Sequence, residues 1–445
     1  MYPNPQDVLP LPSRPSLEQY KKRAKELVKA CTSKNQGALS GWITNWIETL
    51  ARLAKPKIAL PTIRDTNLAG QLEQFVRSKM GESKLSLSHA QFVLARTHGF
   101  ESWPKFAKHL AAISRANSPI SAYEDAADAI VAGDLPTLRK LLRENPGVAR
   151  LRSTREHQAT LLIYVAANGV ENYRQRTPRN IVVITELLLE AGADVNAAAN
   201  IYGGHSTTLG LVATSVHPER AGVQEALMDL LLRRGAPVEG AVAPTYTRGL
   251  LVNACLANGR GRAAAYLAAC GAQLDLEGAA GVGRLDVVKS FFNSRGRLIP
   301  DTTQSQLERA LMWASEYGRN DVIEFLLEKG APINSTGQDS KESTGQTALH
   351  WAIIGGQLDT ITLLLARGAS LETRNIYGSD ALGQALWSAV HDASGVDHIR
   401  TINLLLEAGA KIEDGALGWI AKQTDASPAL KSRLTEVLRR HGAKL

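Results

Sequence analysis

The amino-acid sequence predicts an all-α chain: a solenoid of about eight stacked helix pairs over residues 122–445, a separate helical bundle over residues 16–117, and a disordered leader over residues 1–15. Three observations carry this expectation. At 445 residues the chain exceeds the ~250–300 at which one hydrophobic core stops growing, so it must be several domains or a repeat array. Aliphatic residues and alanine dominate while aromatics make up only 5%, the profile of many thin helical layers and not of one large core. Finally, an apolar run ending in Gly-Ala recurs along the last part of the chain.

The recurring runs include LLLEAGADVNA, LLLRRGAPVEG, YLAACGAQLDL, FLLEKGAPINS, LLLARGASLET, LLLEAGAKIED and VLRRHGAKL. Their glycines are Gly192, Gly235, Gly271, Gly330, Gly368, Gly409 and Gly442, and a degenerate copy, LDVVKSFFNSRGRLI, adds Gly296 inside the longest gap. Each run reads as a short apolar helix closed by a glycine in the left-handed conformation, after which the chain turns sharply. A first unit is expected at Ala126–Leu142, turning at Gly133, and a polar outer helix from Leu430 closes the array, because a solenoid needs polar ends to stay in solution.

A second signature precedes several of these runs. Its best copy reads Gly345-Gln-Thr347-Ala348-Leu349-His350-Trp351-Ala352, followed by Gly355-Gly356-Gln357-Leu358-Asp359. This resembles the ankyrin repeat, whose pattern is a Gly-x-Thr-Pro-Leu-His-x-Ala inner helix, a glycine at the helix–helix turn, and an outer helix ending in Gly-Ala. Partial copies mark further turns at Gly169, Gly259, Gly283 and Gly318. The resemblance implies helix pairs joined by projecting hairpin fingers, and gives His350 the structural role of hydrogen bonding between neighbouring repeats.

Departures from the pattern point to candidate sites. Three helix–helix turns are lengthened, Val170 to Asn180, Val216 to Gly222 and His391 to Asp397, and insertions in a repeat array map to loops that often carry function. Only eleven residues separate Gly271 from Gly283, so a finger is expected to be missing there, opening a notch. The tetrapeptide Asn-Ile-Tyr-Gly occurs twice at finger positions, as Asn200–Gly203 and Asn375–Gly378. It is expected to project Tyr202 and Tyr377, as tyrosine offers a rigid contact surface and a hydroxyl at small entropic cost. The inner helices also place Trp313, Tyr317, Trp351 and Trp387 near the groove, with Gln384 close by. Trp313 and Trp351 fall where layers pack, and Trp387 falls later on its helix. These six aromatic residues, Tyr202, Trp313, Tyr317, Trp351, Tyr377 and Trp387, are the candidate binding residues.

The N-terminal part reads as five helices, Leu17–Cys31, Leu39–Ala54, Leu68–Met80, Ser88–Thr97 and Trp103–Ile113, with Ser16 and Ser86 or Ser88 as caps. Ala95–Pro104 makes a helix–turn–helix pinned by Phe100 and Trp103, with Phe106 and Leu110 on one face of the second helix and Lys105, Lys108 and His109 on the others. Together with Leu11–Lys21, this stretch resembles the basic leader of a group of bacterial ankyrin-repeat proteins, which implies a bacterial origin and no settled activity. Residues 1–117 hold 18 Lys+Arg against 8 Asp+Glu, and the remainder 33 against 35, so the net +8 divides into +10 and −2.

The function expected first is protein–protein interaction through the concave groove of the array, with an unidentified protein partner. A small-molecule or catalytic pocket in that groove is the alternative, with His205, Glu277, Glu316 and His391 as its acid–base candidates. The basic bundle offers a third reading, association with nucleic acid, which would weaken steeply with salt. No nucleophile motif, phosphate-binding loop or metal-ligand spacing is present, so neither cofactor nor metal is expected. Cys31, Cys255 and Cys270 show no paired spacing, no secretory signal opens the chain, and no apolar stretch reaches membrane-spanning length. A cytoplasmic protein without membrane insertion is the expectation.

Overall fold

The computed structural model describes residue 4 and residues 7–53, 68–80, 85–115, 118–240, 249–337, 344–391 and 396–443. Ala54, the expected end of the second helix, and residues 392–395 of the third lengthened turn lie outside these. By contact the chain divides into two compact units, Met1–Gly271 and Ala272–Leu445.

The first unit opens with five helices: α1 (Leu17–Thr32), α2 (Ala38–Leu53), α3 (Leu68–Ser78), α4 (Leu87–Thr97) and α5 (Trp103–Ile113). They follow the apolar periodicity closely. Ser86 caps α4 by accepting from the His89 amide at 3.1 Å, whereas Ser16 makes no side-chain cap. Leu27, Ile43, Leu72, Val93 and Phe106 meet in one core. At its centre Tyr20 donates to His98 Nε2 at 2.9 Å, and His98 Nδ1 contacts the Leu9 carbonyl at 3.0 Å. A carbonyl only accepts, so Nδ1 carries the proton and Nε2 is the acceptor. Burial holds this imidazole down to about 3, fixing it neutral. The stretch Leu11–Lys21 and the helix–turn–helix at Ala95–Pro104 therefore meet through Tyr20 and His98. Within the segment expected to be a disordered leader, Val8 and Leu9 are buried, and the Leu9 amide donates to Thr97 at 2.8 Å.

Helix pairs follow in the same unit. The first is α6 (Pro119–Ala132) and α7 (Leu135–Glu144), turning at Gly133 with φ +72°. In the second pair the inner element is a 3-10 helix, Leu161–Ala166, and the outer is α8 (Ile181–Glu190). Next come α9 (Thr208–Thr214), the short α10 (Val216–Arg220) in the second lengthened turn, and α11 (Gln224–Arg233). The unit closes with α12 (Leu251–Ala257) and α13 (Gly261–Ala269). The finger before α9 is a β-hairpin, β1 (Ala198–Ala199) antiparallel to β2 (Ser206–Thr207).

In the second unit the pairs are α14 (Leu276–Val282) with α15 (Leu285–Ser290), α16 (Gln304–Glu316) with α17 (Asn320–Glu328), α18 (Ala348–Ile354) with α19 (Leu358–Ala366), α20 (Ala381–His391) with α21 (His398–Glu407), and α22 (Ala416–Lys422) with α23 (Pro428–Arg440). Inner helices stack on inner and outer on outer, and Leu311, Ile323, Leu349, Ile361, Leu386 and Leu405 form a continuous core between them. The glycines after the outer helices do adopt the left-handed conformation. At Gly368, φ is +88°, its amide donates to Leu365 at 3.1 Å, and the Ala369 amide reaches back to Leu364 at 2.9 Å, which satisfies the last carbonyls of α19. His350 links layers as expected: its Nε2 lies 3.2 Å from the Ser379 carbonyl and its Nδ1 accepts from Thr347.

Candidate functional site

The finger Asn375–Gly378 is built by one side chain. Asn375 Oδ1 accepts from the amides of Tyr377 and Ser379, both at 3.0 Å, and its Nδ2 donates to buried Gln384 at 3.3 Å. Gln384 also receives Gln346 at 3.3 Å, so its place beside the groove serves a buried polar ladder and not a ligand contact. Held this way, the finger lifts Ile376 and Tyr377 outward, leaving them 60% and 73% exposed. Trp387, one turn before the end of α20, is 51% exposed, and its ring stacks on His391 at 4.6 Å between centroids. Tyr377 and Trp387, with half-buried Trp419 of α22, line a cavity of about 370 Å³ whose polar wall includes Asp380, Lys411, Glu413 and Asp414. Exposed large aromatics are costly to leave in water, and their grouping beside a concavity makes this the candidate binding surface.

The second copy of the tetrapeptide behaves differently. Tyr202, in the first unit, takes a left-handed φ of +51°, and its hydroxyl donates to Asn168 Oδ1 at 2.8 Å. Asn168 precedes the turn glycine Gly169. The corresponding residue before Gly356 is Gly355, which has no side-chain acceptor to offer Tyr377. Nor can a side chain be placed there, since a Cβ on Gly355 would lie 2.0 Å from the Glu316 carbonyl oxygen. Trp313 and Trp351 sit at equivalent places on α16 and α18 and are half-buried, as is Tyr317 at the end of α16.

The four acid–base candidates occupy different surroundings. His205 is exposed at the hairpin tip of the first unit, with φ +63°. Glu277, on α14, is buried and held by Arg309 at 2.7 Å. His391 Nδ1 lies 2.9 Å from the Trp387 carbonyl and its Nε2 4.0 Å from Asp425. Glu316 ends α16, where burial pushes its carboxyl up to about 7, with a hydrogen bond to Tyr317 acting in the opposite direction. These groups lie on separate elements. No metal-binding group of three His, Cys, Asp or Glu residues exists among the described residues.

The sequence reading missed a charged cluster in the first unit. The lengthened turn Val170 to Asn180 folds inward, and its 3-10 helix Asn172–Arg174, with Glu171 at the N-cap, sets Glu171 and Arg174 beside Arg155. Glu171, fully buried, lies 2.9 Å from Arg155 Nε and 3.5 Å from both His157 Nε2 and Arg174 Nη1. Arg155 also binds Glu124 at 2.6 Å, and Arg174 binds Glu124 and Asp128, each at 2.8 Å. Burial works against the charge on Glu171, but the two guanidinium groups outweigh it and hold the carboxyl well below the usual range. The same balance brings Glu124 down to about 2. The cluster lies where the bundle meets the first pair: Arg96 pairs with Glu156, and His109 Nδ1 lies 2.7 Å from Thr154 Oγ1. His109 is thus buried, and burial takes it down to about 4, so it contributes no basic surface to the helix–turn–helix. Lys105 and Lys108 remain exposed. A small cavity of about 140 Å³ opens beside the cluster under Pro10–Pro15. The one signal available in sequence was the length of the turn.

Among the described residues no helix is long and apolar enough to cross a membrane. No curated protein matches the chain. A family model described as ankyrin repeats, in three copies, matches residues 276–375 and 336–416. Joined to the stacked helix pairs, the left-handed glycines and the His350 link between layers, that match makes the fold an all-α ankyrin-repeat solenoid.

Proposed function

We propose that this chain is a protein-binding module and that its contact surface is the groove around Tyr377, Trp387 and Trp419. The observation that carries the reading is the pairing of two large aromatics, exposed to 73% and 51%, with a cavity of about 370 Å³ between a finger and the inner helices. Ankyrin repeats in general mediate protein–protein interaction, and stacked repeats supply the extended concave surface that such binding uses. Aromatic anchors beside a pocket are where interface energy concentrates. The three cysteines are free, which fits a reducing compartment such as the cytoplasm.

The test is site-specific photo-crosslinking in the native cell, with the photoreactive residue at Ile376 beside the cavity or at Val183, another exposed apolar position, on α8. Discrete crosslinked proteins from Ile376 that are absent from Val183, and lost in Trp387→Ala with an unchanged melting temperature, are the expected result. Identical products from both positions, or none from Ile376, would sink the reading.

A further inference from the structure

The groove cavity has a chemistry that selects among partners. Its aromatic walls are Tyr377, Trp387 and Trp419, and its polar wall includes Asp380, Glu413 and Asp414 against the lone cation Lys411. The neighbouring cations are already engaged. Lys411 pairs with Glu372 on the preceding finger. Arg374 pairs with Glu413, sits 3.8 Å from Asp380, and donates to the Gly378 carbonyl at 2.5 Å. Counting these pairs in full, four carboxylates (Glu372, Asp380, Glu413, Asp414) face two cations (Arg374, Lys411), and Asp414 is exposed on the rim with no ionic partner among the described residues. An anionic segment would meet a net negative field here. An apolar side chain would cover the indoles but leave Asp414 without a counter-charge.

A cation answers both walls at once, because the face of an indole carries negative potential and attracts a cation within about 6 Å of its centroid. Between the two natural cations, the guanidinium is planar, stacks on aromatic faces, sheds water more readily than an ammonium, and presents a fork that matches a carboxylate. Resting on the groove reading above, we propose that this cavity takes the arginine side chain of an extended segment in the partner protein, with the guanidinium against Trp387 and Trp419 and its fork toward Asp414. The remainder of the segment runs along the fingers. Specificity follows from charge, since a segment bearing glutamate at that position is repelled.

The experiment uses the full-length chain and a display library of random 12-residue segments, selected in parallel on the native protein, Trp387→Ala and Asp414→Asn. Segments dependent on Trp387 should share one arginine. Replacing that arginine by citrulline, which keeps shape and loses charge, should weaken binding at least tenfold. The loss should shrink to less than about threefold on Asp414→Asn, and the affinity of the arginine segment should fall as salt rises from 50 to 300 mM. Trp387-dependent segments with no shared cation, or with full affinity after the citrulline change, overturn the arginine assignment and leave groove binding standing. A shared lysine that outbinds arginine overturns the guanidinium preference. A library yielding no Trp387-dependent segment overturns both this inference and the groove reading. Trp387 and Asp414 are solvent-facing, and matching circular dichroism melts for the three proteins separate lost binding from lost folding.

Discussion

Glu171→Gln is the most informative single perturbation of the first unit, because it removes the charge of the one wholly buried carboxylate in the cluster. The native carboxylate has 0% exposure, and Arg155 and Arg174, which lie against it, have 2% and 3%. Taking away one member of a buried ion pair costs about 3–5 kcal/mol, since the other is left as an uncompensated charge. Here the guanidinium groups retain Glu124 and Asp128, each within 2.8 Å, so the loss falls at the lower end, about 3 kcal/mol. Repeat arrays unfold region by region, so the assay is hydrogen exchange of the amides of residues 161–170, with urea melts of the full chain as a second readout. A change below about 1 kcal/mol would refute the claim that this cluster holds the lengthened turn in place. The double variant Arg155→Met with Glu171→Leu should recover most of the loss, because it buries neither charge. Acid gives the same result by another route. Glu171 and Glu124 have folded-state values below those of the unfolded chain, so their stabilisation is complete above about 4.5 and is lost as pH falls toward 2, the value reached by Glu124. Exchange at residues 161–170 should accelerate across that window in the native protein and less so in the double variant.

Two glycines separate steric from conformational cost. Gly355→Ala brings a Cβ to 2.0 Å from the Glu316 carbonyl at an ordinary φ and should cost about 2–3 kcal/mol, whereas Gly368→Ala meets open space at φ +88° and should cost about 1 kcal/mol; thermal melts showing the reverse order would contradict this packing. Glu316 has the opposite pH signature to Glu171. Its folded value near 7 means the folded chain keeps a proton that the unfolded chain has released, so stability declines as pH rises from about 4.5 through 7, by at most ~3 kcal/mol. Glu316→Gln should therefore raise the melting temperature at pH 8 and leave it unchanged at pH 4. Equal shifts at both would show that the carboxyl is not desolvated.

Local physics is written directly into this sequence. A short apolar helix closed by glycine is legible because the left-handed cap depends on residues adjacent in the chain, and the five bundle helices follow from periodicity alone. Gly192, Gly330, Gly368 and Gly409 needed no tertiary knowledge. What one side chain meets across layers is a different kind of information. Asn200–Gly203 and Asn375–Gly378 have the same residues, yet Tyr202 bonds to Asn168 while Tyr377 stands in solvent, because the residue before the turn glycine is asparagine in one place and a sterically required glycine in the other. His109 looked like basic surface and is buried against Thr154. The cluster of Glu124, Arg155, Glu171 and Arg174 joins residues up to 50 positions apart. Its charges are tolerated only because folding places each within reach of the other sign, and no spacing along the chain encodes that proximity. The glycine-capped repeat and the existence of the bundle helices were thus legible in the sequence by itself. Which tyrosine stands in solvent, which histidine is dry and where the buried charges meet were decided by packing, since desolvation and Coulomb energy depend on distance through space and not along the chain.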